Sequence, residues 1–218
     1  MALDAVAILG GTGQQGSGLA RRLAAAGVRV IVGSRDPRRA RSTFPDASSS
    51  HAIEVADNAS AASSAGTVVL AVPFGTVDAL LDDIAPRLRS DAVVIDLTVP
   101  LSFAGGKLTM LDVAEGSAAE HIRTRLPSSV ALACLLKTVP AHRLDRADVP
   151  LECDDFVCGD SDAARARAAE LGSCLAGLRV VDVGPLWRAR SIEHLTALAV
   201  AINRRYHILD ARFRVIGL

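Results

Sequence analysis

The sequence predicts an α/β fold with a doubly wound parallel sheet, on three observations. Short apolar runs alternate with longer stretches of helical periodicity, the rhythm that builds βαβ units. Residues 68–72 are apolar on both faces of the pleat, as a central strand covered by helices on each side must be. Gly11, Gly13 and Gly16 stand in G-x-G-x-x-G spacing between an apolar strand and an amphipathic helix, and that context makes the pattern a phosphate-binding turn of the Rossmann type.

The elements follow in order. A strand over residues 5–9 leads through the glycine turn into a helix over 15–26 and a second strand over 29–33. Residues 42–64, rich in serine and alanine, lack a clear period and are expected to form a surface excursion. Strand 67–72, helix 77–88, strand 92–97, a loop holding Gly105 and Gly106, helix 117–126 and strand 130–135 then complete a nucleotide-binding domain over residues 1–150. Beyond Pro150 come a strand (155–158), a helix (161–175), a strand (179–183) and a last helix (192–210). Residues 151–218 therefore form a small C-terminal part, extra sheet strands with a helical extension, which would cap the substrate. Leu195, Leu198, Ile202 and Leu209 make an apolar stripe on the last helix, suited to core packing or to a homodimer contact.

Composition narrows the function. The 218 residues are 50% hydrophobic, and 24 basic side chains balance 24 acidic ones, so no nucleic-acid surface is indicated and the expected partners are small molecules. No apolar run is long enough for a membrane helix. Residues 1–5 enter a strand without a basic stretch or cleavage site, which favours the cytoplasm. Cys134, Cys153, Cys158 and Cys174 form no C-x-x-C pair and read as buried thiols. His51, His121, His194 and His207 are scattered without metal spacing or a neighbouring nucleophile, so no metal site is expected.

The glycine turn makes three demands: positive φ at its first glycine, close approach of a pyrophosphate at the second, and tight strand–helix packing at the third. The N–H groups of the helix start then face the anion. At the tip of the second strand, where an NAD enzyme carries an acidic residue for the ribose hydroxyl, this chain reads Gly33-Ser34-Arg35, with Arg38 and Arg39 close behind. A hydroxyl beside a guanidinium suits a 2′-phosphate, so the cofactor is expected to be NADP. Asp36, one register away, leaves the ribose hydroxyl as the other option.

Ligands of open α/β sheets lie beyond the carboxyl ends of the strands. Phe74 follows one such end and would flank the nicotinamide ribose or plug the loop. Lys137, Thr138 and Val139 follow another and offer the most polar floor for a substrate. Lys137 would bind an acidic substrate or donate a proton after hydride transfer, unless it is a solvated surface lysine. Trp187, after Gly184-Pro185-Leu186, serves as a pocket wall or a packing anchor.

Together these residues resemble the NADPH-dependent coenzyme F420 reductases nearly end to end. The likeness is carried by residues 9–16 (LGGTGQQG), 32–35 (VGSR), 71–74 (AVPF), 115–120 (EGSAAE), 157–160 (VCGD), 184–186 (GPL) and 203–206 (NRRY). It implies hydride transfer between NADP and the deazaflavin coenzyme F420. It implies also that Thr12, Gly13, Gln14 and Gln15 hold the pyrophosphate, that Ser34, Arg35 and Arg39 hold the 2′-phosphate, and that Phe74, Gly105 and Ala141 line the nicotinamide half. The chain departs from the family in carrying Lys137 where histidine is usual, Phe74 where tryptophan is usual, and Trp187-Arg188 in place of smaller residues. Those departures keep two other readings open: an NADPH-dependent reductase of a small carbonyl, imine or alkene, and a non-catalytic NADP-binding redox sensor.

Overall fold

The structure is a computed structural model, and it describes residues 3–44, 53–105 and 107–218. Eight strands form one sheet in the order β10-β9-β8-β5-β4-β1-β2-β3. They are β1 (Val6–Leu9), β2 (Val30–Ser34), β3 (Ile53–Asp57), β4 (Thr67–Leu70), β5 (Val93–Asp96), β8 (Ala131–Cys134), β9 (Cys153–Gly159) and β10 (Leu178–Pro185). A separate antiparallel hairpin, β6 (Leu101–Ala104) with β7 (Lys107–Met110), follows β5. The helices are α1 (Gln14–Ala25), α2 (Pro37–Thr43), α3 (Asn58–Ser63), α4 (Val77–Ile84), α5 (Ala118–Arg125), α6 (Ala141–Asp145), α7 (Asp162–Ser173) and α8 (Ala189–Tyr206).

Strands β3, β2, β1, β4, β5 and β8 run parallel, and the strand order reverses direction between β1 and β4. Side chains alternate across this sheet into two cores. Ile8, Val30, Val69 and Ile95 face Leu19 and Leu23 of α1 and Leu171 of α7. Leu9, Leu70 and Val94 face Leu81 and Ile84 of α4 and Ile122 of α5. Both faces are covered, which is why the strands read as unbroken apolar runs.

Several expectations change. Residues 53–63 are not a loose excursion: β3 pairs with β2 along its length, and Asp57 caps α3 by accepting the Ser60 N–H (2.8 Å). His51 and the rest of residues 45–52 lie outside the described residues. The loop around Gly105 is the exposed turn of the hairpin, and Gly106 lies outside the described residues. Pro86, unable to donate an N–H, closes α4 early in a 3₁₀ turn (Ala85–Arg87). β9 pairs antiparallel to β8 and β10 parallel to β9, so the residues beyond 150 add strands to the same sheet, as expected, with the direction reversed. α8 stops at Tyr206, because His207 takes a left-handed φ of 54° and the Asn203 carboxamide accepts the Ala211 N–H (2.8 Å). Leu209 therefore lies past the helix, 76% exposed. No described helix is long and apolar enough to cross a membrane.

Candidate active site

The glycine turn sits at the carboxyl end of β1, beside the point where strand order reverses, the place for a ligand crevice in an open sheet. The positive φ falls on Gly10 (83°), one residue before the spaced glycines. A Cβ on Gly10 would lie 2.6 Å from the Ala71 carbonyl oxygen, and one on Gly16 would lie 2.6 Å from the Gly10 carbonyl oxygen. Gly10 thus supplies the turn expected of Gly11, and Gly16 the close packing. Gly13 caps α1 with no side-chain hydrogen bond, and the first bond inside the helix runs from the Ser17 N–H to the Gly13 carbonyl (2.8 Å). The N–H groups of residues 14–16 therefore leave the helix end without a capping side chain, and Thr12, Gly13 and Gln14 are exposed around them. An anion fits this arrangement.

At the tip of β2 the Ser34 hydroxyl bonds the backbone of Asp36 (3.2 Å). The Asp36 carboxylate is occupied as the cap of α2, accepting the Arg39 N–H (3.1 Å). Arg35, Arg38 and Arg39 are exposed and enter no ion pair among the described residues, so three guanidinium groups stand uncommitted where a 2′-phosphate would be read.

Lys137 is not where the sequence suggests. Its side chain is 0% exposed, and its three protons go to Asp96 Oδ2 (2.6 Å), Glu193 Oε1 (3.0 Å) and the Thr98 carbonyl. Burial opposes the ammonium charge, but Asp96 and Glu193 outweigh it and hold the lysine pKa well above its ordinary value. A group so buried, saturated and strongly basic neither meets a substrate nor gives up a proton near neutral pH. Glu193 also accepts the N–H of Ala118 (3.1 Å) at the start of α5, and Thr196 donates to the Lys137 carbonyl (2.9 Å). Burial pushes the Glu193 carboxyl upward, against the pull of Lys137. The cluster braces the ends of β5 and β8, α5 and α8.

The neighbours of Lys137 turn inward as well. The Thr138 hydroxyl and N–H donate to Asp155 Oδ1 (2.6 and 3.2 Å), and Val139 is in the core. Burial drives the Asp155 carboxyl upward; its hydrogen bonds from residues 136 and 138 offset this only in part. Leu136, buried, has a left-handed φ of 58°, a conformation that costs a non-glycine residue roughly 1–2 kcal/mol. Its N–H goes to Asp155 Oδ2, and its carbonyl accepts from Gln15 Nε2 (2.7 Å). The Gln15 side chain is thus directed at this loop, while its backbone N–H stays at the helix end.

Phe74 follows β4, half-buried, with the His121 ring edge-on at 5.7 Å. His121 bonds Asp78 (2.7 Å) and Glu115 (3.1 Å), and Arg125 meets Asp78 (3.2 Å). Burial lowers the imidazole pKa, yet the two carboxylates more than reverse this and the net shift is upward. This charged group beside Phe74 was missed in the sequence, where His121 stood only among scattered histidines. Ala141 opens α6 directly after Pro140, on the same strand-end segment. Gly105 is out at the hairpin turn. Trp187 is 49% exposed under the Arg188 guanidinium (4.1 Å). It follows β10, whose last residue, Pro185, is level through Gly159 with Ala133, next to the carboxyl end of β8. No cluster of three or more metal-ligating side chains exists among the described residues.

A family model, NADP oxidoreductase coenzyme F420-dependent, matches residues 5–100. The chain is 36% identical over 221 residues to the F420-dependent NADP reductase of Methanothermobacter thermautotrophicus, spanning 98% of this chain and 95% of that protein. It is 32% identical to the protein of the same name from Methanocaldococcus jannaschii, spanning 98% of each. Among solved structures, one from Arthrobacter sp. FB24, given as an F420-dependent NADP-reductase, superposes with a TM-score of 0.83 at 26% identity over 96% of this chain and 98% of that one. A reductive aminase from Aspergillus terreus shares the fold (TM-score 0.65, 13% identity), over 95% of this chain and 63% of its own.

Proposed function

The chain belongs to the F420-dependent NADP reductase family, and on its own geometry we propose that it transfers hydride between NADP(H) and the deazaflavin F420. The observation that carries this reading is the pairing of an uncapped, glycine-rich helix start with uncommitted Arg35, Arg38 and Arg39 at the tip of the next strand. In it the backbone of residues 11–16 holds the pyrophosphate, with Thr12 and Gln14 beside it, and Ser34, Arg35 and Arg39 hold the 2′-phosphate. Phe74 and Ala141 border the nicotinamide half. NADPH supplies a hydride from its dihydropyridine ring, and the oxidised deazaflavin takes up that hydride with one proton from solvent. No side chain need act as acid or base; the protein's work is to keep two flat rings in contact and aligned.

The reading with a small carbonyl, imine or alkene rested on Lys137 as a proton donor. With that ammonium buried and saturated, it loses its supporting observation. The test is direct: purified protein mixed with NADPH and oxidised F420 should bleach the deazaflavin absorbance. No bleaching at any pH from mildly acidic to basic overturns the reading.

Residues 151–218 would act as the cap over the second substrate. α8 buries only Ala189, Ile192, Glu193 and Ala199, while Leu195 and Ile202 are partly open and Leu198 is 50% exposed, which supports a homodimer through this helix. Leu198→Asp should then shift the sedimentation coefficient to that of a monomer. Four free thiols, three of them buried, suit a reducing cytoplasm.

A further inference from the structure

The phosphate-binding helix and the segment after β8 are tied together at two levels. At the rear of α1 the buried Arg22 guanidinium donates to the carbonyls of Arg143 (2.7 Å), Leu144 (2.9 Å), Arg146 (2.6 Å) and Val149 (2.8 Å). At the front, within one turn of the helix start, the side-chain link is the Gln15 amide on the Leu136 carbonyl, between residues 121 apart in sequence. The residue it holds is the buried left-handed Leu136. Backbone kept in such a region persists only where its surroundings over-determine it. Here Asp155 holds the N–H side of Leu136 and Gln15 the carbonyl side.

We propose that Gln15 is a positioning residue for hydride transfer. Its amide fixes the carbonyl of Leu136 and so sets the distance between the dinucleotide turn and the loop that leads through Val139 and Pro140 to Ala141. The proposal rests on the F420 reading and gives Gln15 a role other than gripping the pyrophosphate. Without the amide, the strained peptide after Leu136 is held only from the side of Asp155, Lys137 and Thr196, and the segment that borders the nicotinamide shifts relative to the helix that anchors the phosphates. A displacement of about 1 Å between reacting groups costs on the order of a hundredfold in rate.

Gln15→Met keeps the length of the side chain and removes the donor. Hydride transfer from bound NADPH to F420, followed in single turnover, should slow ten- to hundredfold, while the NADPH Kd changes less than threefold. A weaker NADPH Kd with unchanged transfer would make Gln15 a phosphate ligand and overturn the proposal; so would no change in either. Gln15→Glu presents an acceptor to an acceptor when ionised and a donor when protonated. Its transfer rate, relative to wild type, should recover as pH falls, and a flat ratio counts against the proposal. Both variants replace a partly exposed side chain, and circular dichroism verifies their fold. Amide hydrogen exchange over residues 135–141 in the NADPH complex is independent of the second substrate. It should quicken at least fivefold in Gln15→Met, and unchanged exchange overturns the proposal even where F420 is the wrong acceptor. Failure of wild type to reduce F420, with exchange behaving as stated, would overturn only the F420 reading.

Discussion

Lys137→Met separates a brace from a proton donor. The side chains of Asp96, Lys137 and Glu193 are 0%, 0% and 1% exposed, so removing the ammonium strands two carboxylates in the interior. Breaking a buried ion pair in this way costs about 3–5 kcal/mol, a large share of the roughly 5–15 kcal/mol that holds a domain together. At about 2–4 °C per kcal/mol for a chain of this size, Tm should fall by roughly 6–20 °C. The deficit should narrow at acid pH. The raised Glu193 carboxyl contributes stability that is complete below its unfolded pKa and lost as pH rises through the higher folded value, and without Lys137 only the N–H groups of Ala118 and Ala119 remain to offset that loss. Adding Asp96→Asn and Glu193→Gln to Lys137→Met should restore most of Tm. The amide oxygens can still accept the N–H groups of Thr98 and Ala118 that the carboxylates serve at 2.7 and 3.1 Å. Differential scanning calorimetry and single-turnover kinetics on the same samples read both effects. A Lys137→Met protein with wild-type Tm and no turnover would refute this reasoning and return the ammonium to the chemistry.

Three more outcomes are expected. Arg35→Ala should weaken NADPH binding by about 1.5–3 kcal/mol, on the order of ten- to 150-fold, and leave NADH within about threefold; equal losses for both nucleotides in fluorescence titration would show that Arg35 does not read the 2′-phosphate. Gly16→Ala drives a methyl to 2.6 Å from the Gly10 carbonyl oxygen and 2.8 Å from the Gly11 Cα, so stability should drop by about 1–3 kcal/mol with at least a tenfold weaker NADPH Kd; an unchanged urea midpoint would contradict that contact. For His121→Gln the sign follows from the raised imidazole pKa: its stabilisation is present below the ordinary histidine value and fades as pH rises through the folded one. The variant should therefore be less stable than wild type in acid, by less than about 1 kcal/mol given the exposure of Asp78, and equal to it in base. A gap that widens with pH would be the contrary result.

The nucleotide half was legible because its signals are local. Strand, glycine turn, helix and the Ser34-Arg35 tip lie within one βαβ unit, where period and spacing carry the information. Gly10 escaped because consecutive glycines do not announce which of them turns. The unit at 53–63 did leave a trace, in the alternation of Ile53 and Val55 and the cap Asp57, but it is short and lies in a run of serine and alanine. Lys137 was misread for a different reason. Its partners stand 41 and 56 residues away, and nothing next to a lysine in sequence says that two carboxylates will converge on it. The direction of β9 is equally silent, since an apolar strand reads the same either way.

The unbroken sheet also governs how the two halves can move. Strands on both sides of residue 150 share one hydrogen-bonded ladder, and a ladder has no hinge. A two-body enzyme squeezes its reactants together by swinging shut; a crevice along a single sheet is expected to keep nearly the same width empty or filled. On that expectation its selectivity comes from the shape it folds into, and small-angle scattering should find one radius of gyration with and without nucleotide.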